Sequence, residues 1–122
     1  MDMHEVQFDG GAPPVDGYGP GFFRVGGAVV RGATLVGPDG ARPWGGLGDA
    51  ATLTALAGAV DVVLLGTGLE IAHAPPDLRM AVEAAGMGLE VMASPAACRT
   101  YNVLVGEGRR VAAALLPMPE AG

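Results

Sequence analysis

The sequence predicts a layered α/β domain, and three observations carry that prediction. After Trp44 the apolar runs at 60–65, 89–92 and 111–116 alternate with segments of helical spacing, the pattern of strands covered by helices. Before Trp44 the runs are short and separated by glycine and proline pairs, as in antiparallel hairpins. Half of the 122 residues are hydrophobic and 16% are charged, which is enough to build one core without disulfides or metals. The expected architecture is a mixed central sheet with helices after Trp44 and an antiparallel hairpin portion before it. A single domain is expected over residues 1–122, with its ordered core at roughly 4–117.

The elements follow from local chemistry. HEVQF at 4–8, FFRV at 22–25 and AVVRGATLV at 28–36 read as strands, and the Gly/Pro-rich stretch 13–21 reads as a surface loop. Pro38-Asp39-Gly40 is a turn, because proline fixes φ and glycine accepts a positive one. Asp49 is placed to cap a helix running to about residue 57, with Leu53 and Leu56 inward and Gly58 as its stop. The β-branched run 60–65 suits a strand buried on both faces, closed by Gly66-Thr67-Gly68. Pro75-Pro76 opens a helix through Ala85, with Leu78 and Val82 on one face and Gly86 at its end. After the strand at 89–92, Ser94-Pro95 combines an N-cap hydroxyl with proline at the first helical position, and the third helix is expected at 96–105. VAAALL at 111–116 is the last strand, and the tail PMPEAG has nothing to hold it.

The third helix contains the one cysteine of the chain. Helical spacing puts Ala97, Tyr101 and Leu104 on one stripe and Ala96, Thr100 and Val103 on the adjoining one, together the expected buried face. Cys98, Asn102 and Val105 fall on another side. A cysteine near a helix start has the dipole to lower its pKa, yet no histidine lies within helical reach of it. The packed-thiol reading is therefore preferred, with Tyr101 as a core ring whose hydroxyl meets a backbone group. The alternative is a small-molecule or anion site beyond the strand ends, built from Gly66, Thr67, Gly68, Ser94, Cys98, Arg99 and Asn102. Glu107, Arg109 and Arg110 read as a salt bridge or solvated charges, and Trp44 as a plug at the core edge.

Composition excludes several classes. A net charge of −6 with no basic cluster argues against nucleic acid. No run reaches the roughly eighteen apolar residues of a membrane span, and the first eleven residues, with Asp2, Glu5 and Asp9, do not resemble a signal peptide. A cytoplasmic protein is expected. His4, His73 and Cys98 lack metal-ligand spacing, and no phosphate- or dinucleotide-binding motif is present, so neither metal nor cofactor is expected. The exposed hairpin edges of the first half suggest a homodimer.

The run GMGLEVMASPAACRTYNVLVGEGRRVAAALLPM at 86–118 resembles the signature of the Mth-like domain family of unknown function, the DUF498 type. Its marks are a small-residue helix entry, T-Y-N-x-L, an E-G-R turn and an alanine-rich last strand. DVVLLGTG and GGAVVRGATLVGPDGARPW resemble the family's central strand and its N-terminal strands. The resemblance spans roughly residues 22–118. It implies a three-layer α/β fold, no established reaction, and relatives that include a mitochondrial complex I assembly factor and an adipogenesis-associated protein. Gly66, Thr67, Gly68, Thr100, Tyr101, Asn102, Glu107 and Arg109 match its motif positions, with no chemical role attached. The function implied is a non-catalytic binding or assembly factor with a protein partner, in respiratory-complex or membrane-protein biogenesis.

Overall fold

The computed structural model describes residues 12–120; the strand expected at 4–8 lies outside them. Eight strands and three helices are described: β1 (Val15–Gly19), β2 (Phe22–Val25), β3 (Ala28–Arg31), β4 (Thr34–Gly37), β5 (Gly40–Pro43), α1 (Ala50–Thr54), β6 (Val62–Thr67), α2 (Pro76–Ala84), β7 (Gly88–Met92), α3 (Ser94–Gly106) and β8 (Val111–Leu116). Five of the strands form a central sheet in the order β5-β4-β8-β6-β7, and β1-β2-β3 form a separate antiparallel sheet. The central sheet is mixed, as the sequence predicts. β4 runs antiparallel to both β5 and β8, while β6 runs parallel to β7 and β8.

Strand periodicity splits the core into two layers. Along β8, Ala112 and Ala114 face one side, while Val111, Ala113 and Leu115 face the other. Val63 and Leu65 of β6 join the first side, where they meet Leu53 and Leu56 from the α1 region, Leu78 and Val82 of α2, and Trp44. Leu64 of β6 and Val36 of β4 join the second, against Ala97, Cys98 and Tyr101 of α3 and against Val15, Phe23 and Val25 of the smaller sheet. The alanines of β8 are small because a helix or second sheet presses on each face of that strand.

Several expectations are corrected. Residues 13–21 are not a loop: β1 occupies Val15–Gly19 and pairs with β2 through a bulge at Asp16. Its glycines are tolerable because β1 lies at a sheet edge. The run 28–36 is two strands, broken at Gly32, whose φ of 80° turns the chain from one sheet into the other. β6 starts two residues later than expected and continues through Gly66 and Thr67, which are therefore strand residues. α1 is capped by Asp49, whose side chain accepts from the Thr52 N–H, but ends at Thr54. The start of the tail is held: Met118 is buried, and its carbonyl accepts from the Gly21 N–H at 2.9 Å.

The buried face of α3 also differs. Ser94, Ala97, Cys98 and Tyr101 are buried, whereas Val103 is 59% exposed. The stripe beside Ala97 and Tyr101 that turns inward is the one carrying Cys98 and Asn102. The apolar count alone could not choose between them, because Asn102 is drawn inward by a polar partner.

Candidate functional site

Ser94 and Gly68 bind each other through two hydrogen bonds. The Ser94 N–H donates to the Gly68 carbonyl at 2.7 Å, and the Gly68 N–H donates to Ser94 Oγ at 2.8 Å. The same hydroxyl donates to the Leu116 carbonyl at 2.6 Å. Ser94 is thus not the helix cap expected from sequence; α3 begins without a side-chain cap, and the hydroxyl ties the ends of β6 and β8 to the helix start. Gly66 permits this approach, since a Cβ there would lie 2.8 Å from Ser94 Oγ and 2.9 Å from the Ser94 Cα. Gly68, at φ 95°, turns the chain away from the sheet.

Thr67 organises the loop that follows. Its Oγ donates to the Glu70 carbonyl at 2.8 Å and accepts from the Ala72 N–H at 2.9 Å. The loop so fixed exposes Leu69 (60%) and Ile71 (66%). Leu69 borders a shallow hollow of about 370 Å³ with Tyr18, Pro20, Pro95, Met118 and Pro119. This face, at the carboxyl ends of β6 and β8, was missed from sequence. The signal was available in GLEIA, a pair of large aliphatics in a segment that is neither strand nor helix.

The other proposed ligand residues do not gather there. Cys98 is 2% exposed within the second core layer, and burial pushes its thiol up to about 11 despite the nearby Arg99 cation. Arg99 itself faces solvent. His73 borders a different hollow, with Ile71, Arg79 and Val91, and Val91 packs in the opposite core layer from Cys98. None of the five hollows described is lined by Gly66, Thr67, Gly68, Ser94, Cys98, Arg99 or Asn102.

Tyr101 and Asn102 instead fasten the smaller sheet. The Tyr101 hydroxyl donates to the Pro13 carbonyl at 3.0 Å. The Asn102 amide meets Val15 twice: Oδ1 accepts from its N–H at 2.8 Å and Nδ2 donates to its carbonyl at 2.9 Å. An amide side chain here substitutes for a neighbouring strand along the edge of β1 that faces away from β2. Burial raises the Tyr101 pKa well above the usual phenol value, so its hydroxyl stays a donor. The E-G-R turn closes α3: Glu107 is its C-cap, Gly108 sits at φ 79°, and the N–H groups of Gly108 and Arg109 donate to Val105 and Leu104. Among the described residues no hydrogen bond of this kind involves the Thr100 side chain.

Among the described residues no three His, Cys, Asp or Glu side chains come together, and no helix is long and apolar enough to cross a membrane.

Comparison with known proteins agrees with this geometry. Residues 15–116 match the family model described as protein of unknown function (DUF498/DUF598). An uncharacterised protein of Rhodobacter capsulatus is 57% identical over 91% of this chain and 90% of its own. NADH dehydrogenase [ubiquinone] 1 alpha subcomplex assembly factor 3 of Danio rerio is 31% identical over 84% of this chain, which spans 63% of that protein; the mouse counterpart is 38% identical over 49% of this chain and 32% of its own length. Among solved structures, one described as an outer membrane protein of Bartonella henselae superposes with a TM-score of 0.81 at 32% identity, over 89% of this chain and 98% of that one. A Mth938-like domain from Bordetella pertussis gives 0.73 at 29% identity, over 89% and 88%. The motif that fastens the smaller sheet, the mixed five-stranded core and the matched span together make this chain a member of the DUF498 family, with the Mth938-like α/β fold.

Proposed function

We propose that the chain is a cytoplasmic, non-catalytic binding or assembly factor that presents the loop after β6 to a protein partner, in respiratory-complex or membrane-protein biogenesis. One observation carries the reading: Leu69 and Ile71 stand exposed on a loop that the Thr67 hydroxyl holds in place. Large aliphatics fixed in water gain by burial against another protein and lose little entropy in doing so. The neighbouring Tyr18, Pro20 and Pro95 extend the surface with rigid groups. The assembly-factor relatives supply the biological setting. A ligand site on the other side of the helix start finds less support, because Ser94 and Asn102 spend their polar groups on the backbone and the Cys98 thiol is enclosed.

A photo-crosslinking residue at position 71, compared with one at the equally exposed position 103 on α3, tests this in the native host. One discrete protein adduct is expected at 71, lost when Leu69 is changed to Glu and absent at 103. Equal labelling at both positions, or no adduct at 71, contradicts the reading.

A further inference from the structure

The β3 edge of the smaller sheet leads to a separate conclusion. Among the described residues, β3 pairs with β2 alone. The β2–β3 turn is Gly26-Gly27, both at positive φ, and a two-residue turn of this kind makes Val25 and Ala28 a mutually hydrogen-bonded pair. Alternation along an antiparallel ladder then directs the backbone groups of Ala28 and Val30 towards β2, and those of Val29 and Arg31 away from it. The Gly32 N–H, which donates to the Gly21 carbonyl at 2.9 Å, confirms the phase. Val29 is 52% exposed and Arg31 is exposed, and among the described residues no strand pairs with the outward groups, which makes them a template for pairing.

We propose that this edge pairs with the same edge of a second copy, antiparallel about a two-fold axis at Val30, joining two three-stranded sheets into one continuous sheet. Only residues with the same orientation can face each other across an antiparallel seam. Centring on Val30 sets Val29 against the partner's Arg31 on both sides of the axis, and each such pair exchanges two hydrogen bonds. Centring on Val29 would instead drive Arg31 against the partner's Gly27, whose N–H is already donated to Asp16 at 2.6 Å. The favoured register also matches charge. Arg31 lies diagonal to the partner's Gly27, beside which the partner's Asp16 carboxylate is anchored, and two-fold symmetry makes that pairing twice. Arg31 borders the same hollow as Glu120 of its own chain, and leaning outward to the partner carries it away from the axis and from the partner's Arg31. At the axis Val30 meets Val30 at a non-hydrogen-bonded position, where opposed side chains approach most closely.

Sedimentation of the full chain from micromolar to several hundred micromolar is expected to show a reversible monomer–dimer equilibrium. Val30→Cys should form an intermolecular disulfide on mild oxidation, because opposed residues at such a site are within bridging distance and Cys98 is buried. Arg31→Glu, on an exposed side chain, should weaken the dimer about tenfold or more by facing the partner's Asp16. A protein that stays monomeric throughout overturns the proposal. So does a dimer that neither crosslinks through position 30 nor responds to Arg31→Glu, and so does a β3 edge shown to be occupied by an extended segment of a different protein.

Discussion

The two faces of the central sheet are built by different means. On one, short helices and the turn after α1 supply Leu53, Leu56, Leu78 and Val82, and the contacts are mainly apolar, with Arg79 donating to the Leu89 carbonyl and Trp44 Nε1 to the Asp49 carbonyl at the margin. On the other, a longer helix and a second sheet meet, and the apolar layer of Phe23, Leu64 and Ala97 is supplemented by side chains that bond to distant backbone: Tyr101 to Pro13, Asn102 to Val15, and Ser94 to Gly68 and Leu116. A helix satisfies its own backbone and needs only an apolar stripe to dock. A small sheet whose edge strands have one strand partner each among the described residues does not, so the second face carries the side chains that fasten that sheet. The difference explains why the family's T-Y-N motif falls on α3: two of its three residues hold a sheet that the hydrophobic effect alone would leave under-specified.

Truncation at each face separates these mechanisms most sharply. Tyr101→Ala should destabilise the protein by about 3–5 kcal/mol, through both a cavity and the loss of the bond to Pro13, and should loosen the smaller sheet first. Leu53→Ala should cost about 2–5 kcal/mol without selective loss of that sheet. Denaturation followed by the Trp44 signal and by amide exchange in β1–β3 checks this. Equal loosening of both sheets in both variants would dissolve the distinction between the faces.

A smaller effect comes from the thiol on the polar face. The folded pKa of Cys98, about 11, lies above the ordinary value of 9.0, because burial penalises the thiolate. A raised pKa stabilises the fold fully below pH 9, and that contribution is lost as pH rises from about 9 through about 11. Stability should therefore fall across that window by on the order of 2 kcal/mol more in the native sequence than in Cys98→Ala, measured by urea unfolding at each pH. Identical alkaline profiles would place the thiol in contact with water.

Much of this was legible from residue order, and the exceptions share a cause. The β-branched runs, the Asp49 cap, the Pro76 entry and the glycine stop of α2 are local signals, and the elements they mark are present with ends shifted by a few residues. β1 was hidden because Gly17, Gly19 and the flanking prolines look like a loop, while it is held by pairing with β2 and by Asn102, 87 residues from Val15. Ser94 looked like a cap because Ser-Pro is a common helix opening, yet its hydroxyl answers to Gly68 and Leu116, partners distant in the chain. The inward turn of Asn102 failed the apolar pattern for the same reason. Of the candidate ligand residues, the grouping of Gly66, Gly68 and Ser94 was legible from parallel strand ends, but the exposed Leu69 and Ile71 beside them were not singled out.

The most direct test of the account is hydrogen exchange at the Val15 amide in Asn102→Ala. The account predicts that Val15 loses most of its protection while amides in β6 and β8 keep theirs, with a stability cost of about 1–3 kcal/mol. Unchanged protection at Val15, or uniform loss through both sheets, would contradict it.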